Sequence, residues 1–345
     1  MKESISVAVL GASGAVGTEM LRVLERRDFP VKSLKVLATE RSAGKKVPFR
    51  GRDAVIEAVG PDSFKGIALA IFSAGAAASR MRAPEAVRAG AVVVDNSSAW
   101  RADPNVPLVV PEVNAGALAG HRGIIANPNC STIQMVVALK PLHDEARIRR
   151  VIVSTYQAVS GKSGKAMMEL TAATKDALEG RTPRAELFPK TMAFNVSFDW
   201  PFAANGFTEE EMKMTAETVK IMGDPGIKLS ATTVRVPVYR GHAESVYIET
   251  ERKLTAARAR ELLSAAPGVV VMDDPAAKAW PTPREAEGHD ASFVGRIRED
   301  HACDHGLWLW VVSDNLLKGA ALNAVQIAEI LIAKGLLRTK DPLYS

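Results

Sequence analysis

The chain is poor in cysteine, has no long apolar run and carries no concentrated block of one charge. Two cysteines, Cys130 and Cys303, in 345 residues cannot build a disulfide framework, so a reducing, cytoplasmic setting is expected. No apolar run approaches the ~20 residues that a membrane-spanning helix needs, so no membrane partner is expected. The chain leads straight into a predicted strand, Ser6–Leu10, and no signal peptide is expected. The net charge is +5, but the basic residues are dispersed. Their densest group, Arg147, Arg149 and Arg150, falls at a helix-to-strand junction and reads as a solvated face. That distribution suits small anionic ligands rather than nucleic acid. Internal repeats and low-complexity segments are missing too. What remains is an ordinary globular composition, 47% hydrophobic and 24% charged, in a chain longer than one core usually organises, so two domains are expected.

The first ~130 residues alternate strands and helices, with each strand ending in small or polar residues. Ser6–Leu10 runs into Gly11-Ala12-Ser13-Gly14-Ala15-Val16-Gly17, after which Val16, Met20, Leu21 and Leu24 share one helical face. Strand, glycine turn and helix form the context in which backbone approaches a dinucleotide pyrophosphate. The spacing G-x-x-G-x-x-G also fits a tight turn without a ligand. The next strand, Leu34–Ala38, ends at Thr39-Glu40-Arg41-Ser42, where such a fold meets the adenine ribose. Glu40 suits ribose hydroxyls and NAD. Arg41, with Ser42 and Lys45, suits a 2′-phosphate, and the balance of two cations and two hydroxyls against one carboxylate favours NADP. Further strands lead to Ser73-Ala74-Gly75, to Asn96-Ser97-Ser98 and to Asn127-Pro128-Asn129.

Cys130 follows the last of these strands and opens an apolar stretch of helical length. The N–H groups and positive dipole end of a helix favour thiolate over thiol and can hold an oxyanion, although a lone cysteine is often only a small buried hydrophobe. From about Arg149 longer strands suggest a mixed sheet: Val151–Val159, Leu229–Val238, Glu244–Glu249 and Leu307–Val312. Loops are expected at Arg181–Met192, Asp199–Phe207 and Trp280–Asp290, and a closing helix at Ala320–Ile332. Arg235, alternating with Val234 and Val236, must meet an anion; a substrate carboxylate and an internal salt bridge fit equally. His242 follows Gly241 at a bend and has the chemistry of a general acid–base, or of an exposed loop histidine. Gln157 ends a strand at the turn Ser160-Gly161 and either orients a substrate or is a polar strand end. Arg101 is a phosphate or carboxylate ligand or a solvated cation. Glu210 and Lys213, three apart on a predicted helix, read by default as a surface ion pair. His301, Cys303 and His305 would share one face of a strand, but three ligands without a fourth read as a strand edge rather than a zinc site.

These residues together resemble aspartate-β-semialdehyde dehydrogenases of the bacterial branch. The resemblance runs from end to end. It is carried by Gly11–Gly17, Asp95–Ser98, Val109–Asn114, Pro128–Thr132, Ser154–Gly161, Arg235–Val238, Gly241-His242 and Trp310–Asn315. It implies an α/β fold: a Rossmann-type dinucleotide-binding domain over 1–129, completed by a C-terminal helix over about 316–345, and an α+β catalytic and dimerisation domain with a mixed sheet over 130–315. It implies Cys130 as the acyl-forming nucleophile, His242 as acid–base and Gln157 as the group that orients substrate. Arg235 would clamp the substrate carboxylate, Arg101 and Lys213 would hold phosphate, Glu210 would meet the amino group, and Asn129 would line the substrate site. Cofactor contacts are implied at Gly11, Ser13, Gly14, Ala15, Val16, Thr39, Arg41, Ser42, Ser73, Gly75, Ser160, Gly161 and Asn315.

The resemblance also implies a homodimer and NADPH-dependent reduction of aspartyl phosphate to the semialdehyde, on the route to lysine, methionine and threonine. The chain departs from the pattern at Glu40, at Lys162 and Lys165 after the Gln157 turn, and at His301–His305. Two other readings compete: an N-acetyl-γ-glutamyl-phosphate reductase-like enzyme and a non-catalytic nucleotide-binding paralogue. The presence of Cys130, Gln157, Arg235 and His242 together argues against the second of these.

Overall fold

A computed structural model describes residues 4–338 and 342–344. The chain divides into two compact units, 1–128 with 320–345, and 129–319. Of the segments expected to form the first domain, residues 1–3, 339–341 and 345 lie outside the described residues.

The first unit begins with β1 (Ile5–Leu10), α1 (Ala15–Arg26), β2 (Val31–Ala38), the hairpin β3 (Lys46–Phe49) and β4 (Arg52–Val55), and β5 (Glu57–Ala58). It continues through β6 (Leu69–Phe72), α2 (Ala76–Arg88), β7 (Val92–Asp95), the short α3 (Pro111–Asn114) and β8 (Ile124–Ala126). Its six-stranded sheet has the order β5-β2-β1-β6-β7-β8, with all pairings parallel. With the hairpin set aside, that is the doubly wound 3-2-1-4-5-6 order, which places ligand-binding loops at the carboxyl ends of the strands. β6 and β7 are buried at every residue, as a sheet covered on both faces requires. The β3–β4 hairpin and α3 are additions to the elements expected from sequence.

The second unit opens with α4 (Cys130–Ala146), β9 (Ile148–Gln157), α5 (Gly164–Leu178), α6 (Glu209–Met222), β10 (Lys228–Arg235) and β11 (His242–Thr250). It closes with α7 (Ala256–Ala265), β12 (Val269–Val271), α8 (Pro283–Ala286), β13 (Ser292–Glu299) and β14 (Gly306–Ser313). The sheet β10-β9-β11-β14-β13-β12 is mixed: β10–β9 and β12–β13 are parallel and the rest antiparallel. One face packs its core against α4, α6 and α7, through Met135, Leu139 and Leu142, Met214, and Ala259 and Leu263. On the other face, Ile152 and Tyr156 of β9 are exposed, and Tyr156 sits 5.5 Å from the half-buried Trp310 ring.

Several boundaries differ from the sequence expectation. β9 starts three residues earlier, at Ile148. β10 ends at Arg235, because Pro237 has no N–H to continue the ladder. The Trp280–Asp290 loop contains α8, nucleated by a capping box between Thr282 and Glu285. The C-terminal helix is α9 (Leu322–Ala333), preceded by a π-helical turn over Leu317–Ala321; it is shorter than the span expected over 316–345. His301, Cys303 and His305 lie in the turn joining β13 to β14 rather than on a strand edge, and His305 Nδ1 lies 3.0 Å from the Thr250 carbonyl. No group of three or more potential metal ligands occurs among the described residues.

Candidate active site

In the first unit the glycine turn is shaped by close backbone approach. Gly11 has φ +88°, and a Cβ there would lie 2.3 Å from the Ser73 carbonyl oxygen. A Cβ on Gly17 would lie 2.1 Å from the Gly11 carbonyl oxygen. Gly14 caps α1 and Gly75, at φ +81°, caps α2, and neither helix start is closed by a side chain. Two helix N-termini with bare amides beside a turn that only glycine can make fit a dinucleotide pyrophosphate. Ser13, Ala15 and Val16 belong to that turn and the first residues of α1. After β2, Thr39, Glu40 and Arg41 are exposed, whereas Ser42 is buried and bonded to Ser13 (Oγ–Oγ 3.2 Å). Arg101 is half-buried rather than a solvated loop cation: Nε donates to Asn127 O and Nη2 to Asn96 O, both at 2.9 Å.

In the second unit Cys130 is the first residue of α4, and Asn129 is its N-cap. Asn129 Oδ1 accepts from the N–H groups of Ser131 and Thr132 at 3.0 and 3.3 Å. Its Nδ2 donates to Glu210 Oε1 at 2.8 Å, and its backbone N–H to Glu217 Oε2 at 2.6 Å. Glu210 and Glu217 stand seven apart on one face of α6, and both are buried. Gln157, buried at the end of β9, donates from Nε2 toward the same Glu210 Oε1 at 3.4 Å. The expected Glu210–Lys213 ion pair does not form, because Glu210 turns inward; Lys213, about a third exposed, pairs instead with Glu209 at 3.6 Å. Glu217 was not legible as a site residue, though its seven-residue spacing from Glu210 is the signal that reveals it.

His242 opens β11 and is fully buried. The Ala158 N–H donates to His242 Nδ1 at 3.0 Å, so in the neutral ring the proton resides on Nε2. Nε2 has no partner among the described residues. Burial, and secondarily the Arg235 cation, hold the imidazole well below its ordinary value. A Cβ on Gly161 would lie 3.1 Å from His242 Nε2 and 3.0 Å from Arg235 Nη1, so the glycine lets the turn pack close against these two groups. Ser160 and Asn315 bond to each other (Oγ–Nδ2 3.0 Å), and Asn315 Oδ1 accepts the Gly241 N–H at 2.9 Å, bracing the turn into His242. Two residues on, Glu244 is a carboxyl pushed by burial well above its usual range and only partly offset by Gln134, which also donates to the His242 carbonyl.

Sequence comparison places this geometry in a family. The profile described as "Semialdehyde dehydrogenase, NAD binding domain" matches residues 6–121, and "Semialdehyde dehydrogenase, dimerisation domain" matches 139–318. The aspartate-semialdehyde dehydrogenase of Aquifex aeolicus is 54% identical over 96% of this chain and 99% of its own length. The chain belongs to the aspartate-semialdehyde dehydrogenase family. Aspartate semialdehyde dehydrogenase II from Vibrio cholerae, in its crystal structure complexed with ASA, matches with a TM-score of 0.94 and 46% identity over 96% of this chain and 99% of that one. The Candida albicans aspartate semialdehyde dehydrogenase with NADP matches with a TM-score of 0.76 and 27% identity over 97% and 100%. The dehydrogenase fold expected from sequence, a Rossmann-type unit and a mixed-sheet unit, is thus the one observed.

Proposed function

We propose that this chain catalyses the NADPH-dependent reductive dephosphorylation of L-aspartyl-4-phosphate to L-aspartate 4-semialdehyde, on the route to lysine, methionine and threonine. The observation that carries the reading is Cys130 at the N-terminus of α4, with its cap Asn129 held at both backbone and side chain by the α6 carboxylates. Cys130 Sγ attacks the acyl carbon; the C–S bond forms, the C–O bond to phosphate breaks, and phosphate leaves. The helix N-terminus favours the thiolate and the developing oxyanion. NADPH, when bound, supplies the hydride that reduces the thioester carbonyl. Collapse of the resulting thiohemiacetal returns the thiolate and releases the aldehyde, with His242 Nε2 holding or passing the proton. Arg235 clamps the α-carboxylate, Gln157 and Glu210 orient the substrate, and Arg101 and Lys213 hold phosphate.

The start of α1 after the glycine turn, closed by no side chain, supports a dinucleotide, and Arg41 on the exposed loop after β2 supports the 2′-phosphate of NADP over NAD. A relative that carries the aspartate name at 54% identity favours this substrate over an N-acetyl-glutamyl phosphate. The match to a dimerisation domain and the exposed apolar face at Ile152 and Tyr156 support a homodimer. No helix among the described residues is long and apolar enough to cross a membrane, and the biosynthetic reading puts the enzyme in the cytoplasm.

The test is NADP reduction with phosphate and aspartate semialdehyde, run beside the N-acetyl-glutamate analogue. Activity confined to the aspartate substrate, abolished in a folded Cys130→Ala variant and nearly intact in Cys303→Ala, is expected. Substantial turnover by folded Cys130→Ala would refute the thioester route.

A further inference from the structure

Arg235 is only 3% exposed, although its proposed task is to receive a carboxylate arriving from solvent. Its guanidinium is already engaged. Nη1 donates to the Ala158 carbonyl at 2.8 Å, Nη2 to Asp199 Oδ2 at 3.1 Å, and the plane lies 4.5 Å from the Trp200 ring centroid. Nε is buried and has no partner among the described residues. Asp199, its side chain 2% exposed, binds a second cation: Lys162 Nζ donates to Oδ1 at 2.6 Å. The Lys162 side chain is 30% exposed, and its Nζ lies over the Phe188 ring. The segment that delivers Asp199 is pinned on either side. Ser197 and Arg235 exchange backbone hydrogen bonds of 3.1 and 2.8 Å, and the Ala203 N–H donates to Phe207 O at 2.7 Å. Asp199 and Trp200 lie between these anchors.

A side-chain carboxylate thus occupies an arm of the group that is to bind a substrate carboxylate. We infer that Asp199 is an internal counter-carboxylate that the substrate must displace from Arg235, with Lys162 retaining Asp199 once displaced. The inference rests on the reading that Arg235 binds the substrate carboxylate. The exchange keeps the buried guanidinium paired at every stage, which matters because a buried cation stripped of its partner is strongly unfavourable. It also makes Asp199 a specificity-determining residue. A substrate with a carboxylate can replace Asp199, whereas an aldehyde without one leaves the internal pair closed.

Steady-state kinetics with aspartate semialdehyde, reading KM and kcat separately, test this in the intact enzyme. Asp199→Asn keeps the shape and removes the competing charge, so KM should fall roughly tenfold, the size of a charge-assisted contact. Arg235→Lys, measured beside it, should raise KM. A KM for Asp199→Asn that is unchanged or raised, with Arg235→Lys still raising it, overturns the counter-carboxylate and leaves the Arg235 reading standing. No rise in Arg235→Lys overturns the reading on which the inference rests. Should Asp199→Asn not fold, Lys162→Met supplies the second measurement. Freed from Lys162, Asp199 should hold Arg235 more tightly and KM should rise, and an unchanged or lowered KM overturns the proposal.

Discussion

His242 shows how much of the chemistry is decided by one side chain's surroundings. From the residues alone it reads as a histidine after a glycine, in a position more often exposed than catalytic. In the fold it is fully buried, its Nδ1 takes the Ala158 N–H, and Nε2 has no partner among the described residues. Burial and Arg235 depress its proton affinity, so the folded enzyme keeps the neutral ring at pH values where a free imidazole, near 6.5, begins to charge. The sign follows from proton counting. Below pH 6.5 the unfolded chain binds the proton and the folded one does not, so this group makes stability fall as pH falls through that value. For the same reason the acid limb of kcat/KM set by His242 should lie below 6.5. His242→Asn should lower kcat on the order of a hundredfold and abolish that limb, with the substrate KM changed far less. A pH–rate profile of the variant that keeps the wild-type limb at near wild-type rate would remove His242 from proton transfer. The group opposing its charged form, Arg235, was itself ambiguous in sequence between a salt bridge and a substrate clamp. It is paired with Asp199, and its Nε is left without a partner among the described residues.

At the scale of elements, α4 and α6 act as one device. Asn129 caps α4 with its carbonyl oxygen while its amide and backbone N–H are held by Glu210 and Glu217 of α6, so the orientation of the cap, and with it Cys130, is fixed from outside the helix it caps. Asn129→Ala removes the cap and leaves Glu210 without its closest donor, at a cost of about 2 kcal/mol. Thermal unfolding should therefore shift down by roughly 5 °C, and turnover should fall with it. An unchanged midpoint with unchanged turnover would show that Cys130 is positioned without the cap. The strand–turn–helix context of both Gly11–Gly17 and Cys130 was legible because local pattern determines it: buried strand, small or polar turn, then helix. The inward turn of Glu210 was not, since (i, i+3) spacing to Lys213 equally predicts a surface pair, and only the packing of α6 beside Asn129 separates the two. Asp199 gave no signal, being one acid in a loop brought to Arg235 by a single bridge at Ser197. The hairpin of β3 and β4 and the capping box of α8 were missed for a related reason. They are short elements inside stretches whose composition reads as loop.

At the scale of the molecule, the unexplained surface is the open face of the mixed sheet. β9 alternates strictly enough that Val151 and Val153 face the core while Ile152 and Tyr156 face solvent, which fixes which side is left over. Ile152 is 44% exposed and Tyr156 38%, and Tyr156 lies against Trp310. α8 covers this face only where Ala286 packs with Ala243, Phe293 and Val312. Apolar sheet surface left exposed beside such a cluster is the kind that a second copy of the chain covers, and stable pairing of two such faces requires on the order of 1,600 Å² of total buried area. Under the homodimer reading, a charge within this apolar face is strongly unfavourable in the dimer and harmless in the free subunit, because an exposed carboxylate stays solvated. Ile152→Asp should therefore yield a folded monomer by light scattering where the parent enzyme is a dimer. The position lies on the opposite face of β9 from Gln157, so Cys130 and its α6 supports are untouched, and loss of activity in that monomer would report on pairing rather than on damage to the site. A variant that remains dimeric at micromolar concentration with unaltered stability would place the interface elsewhere on the second unit.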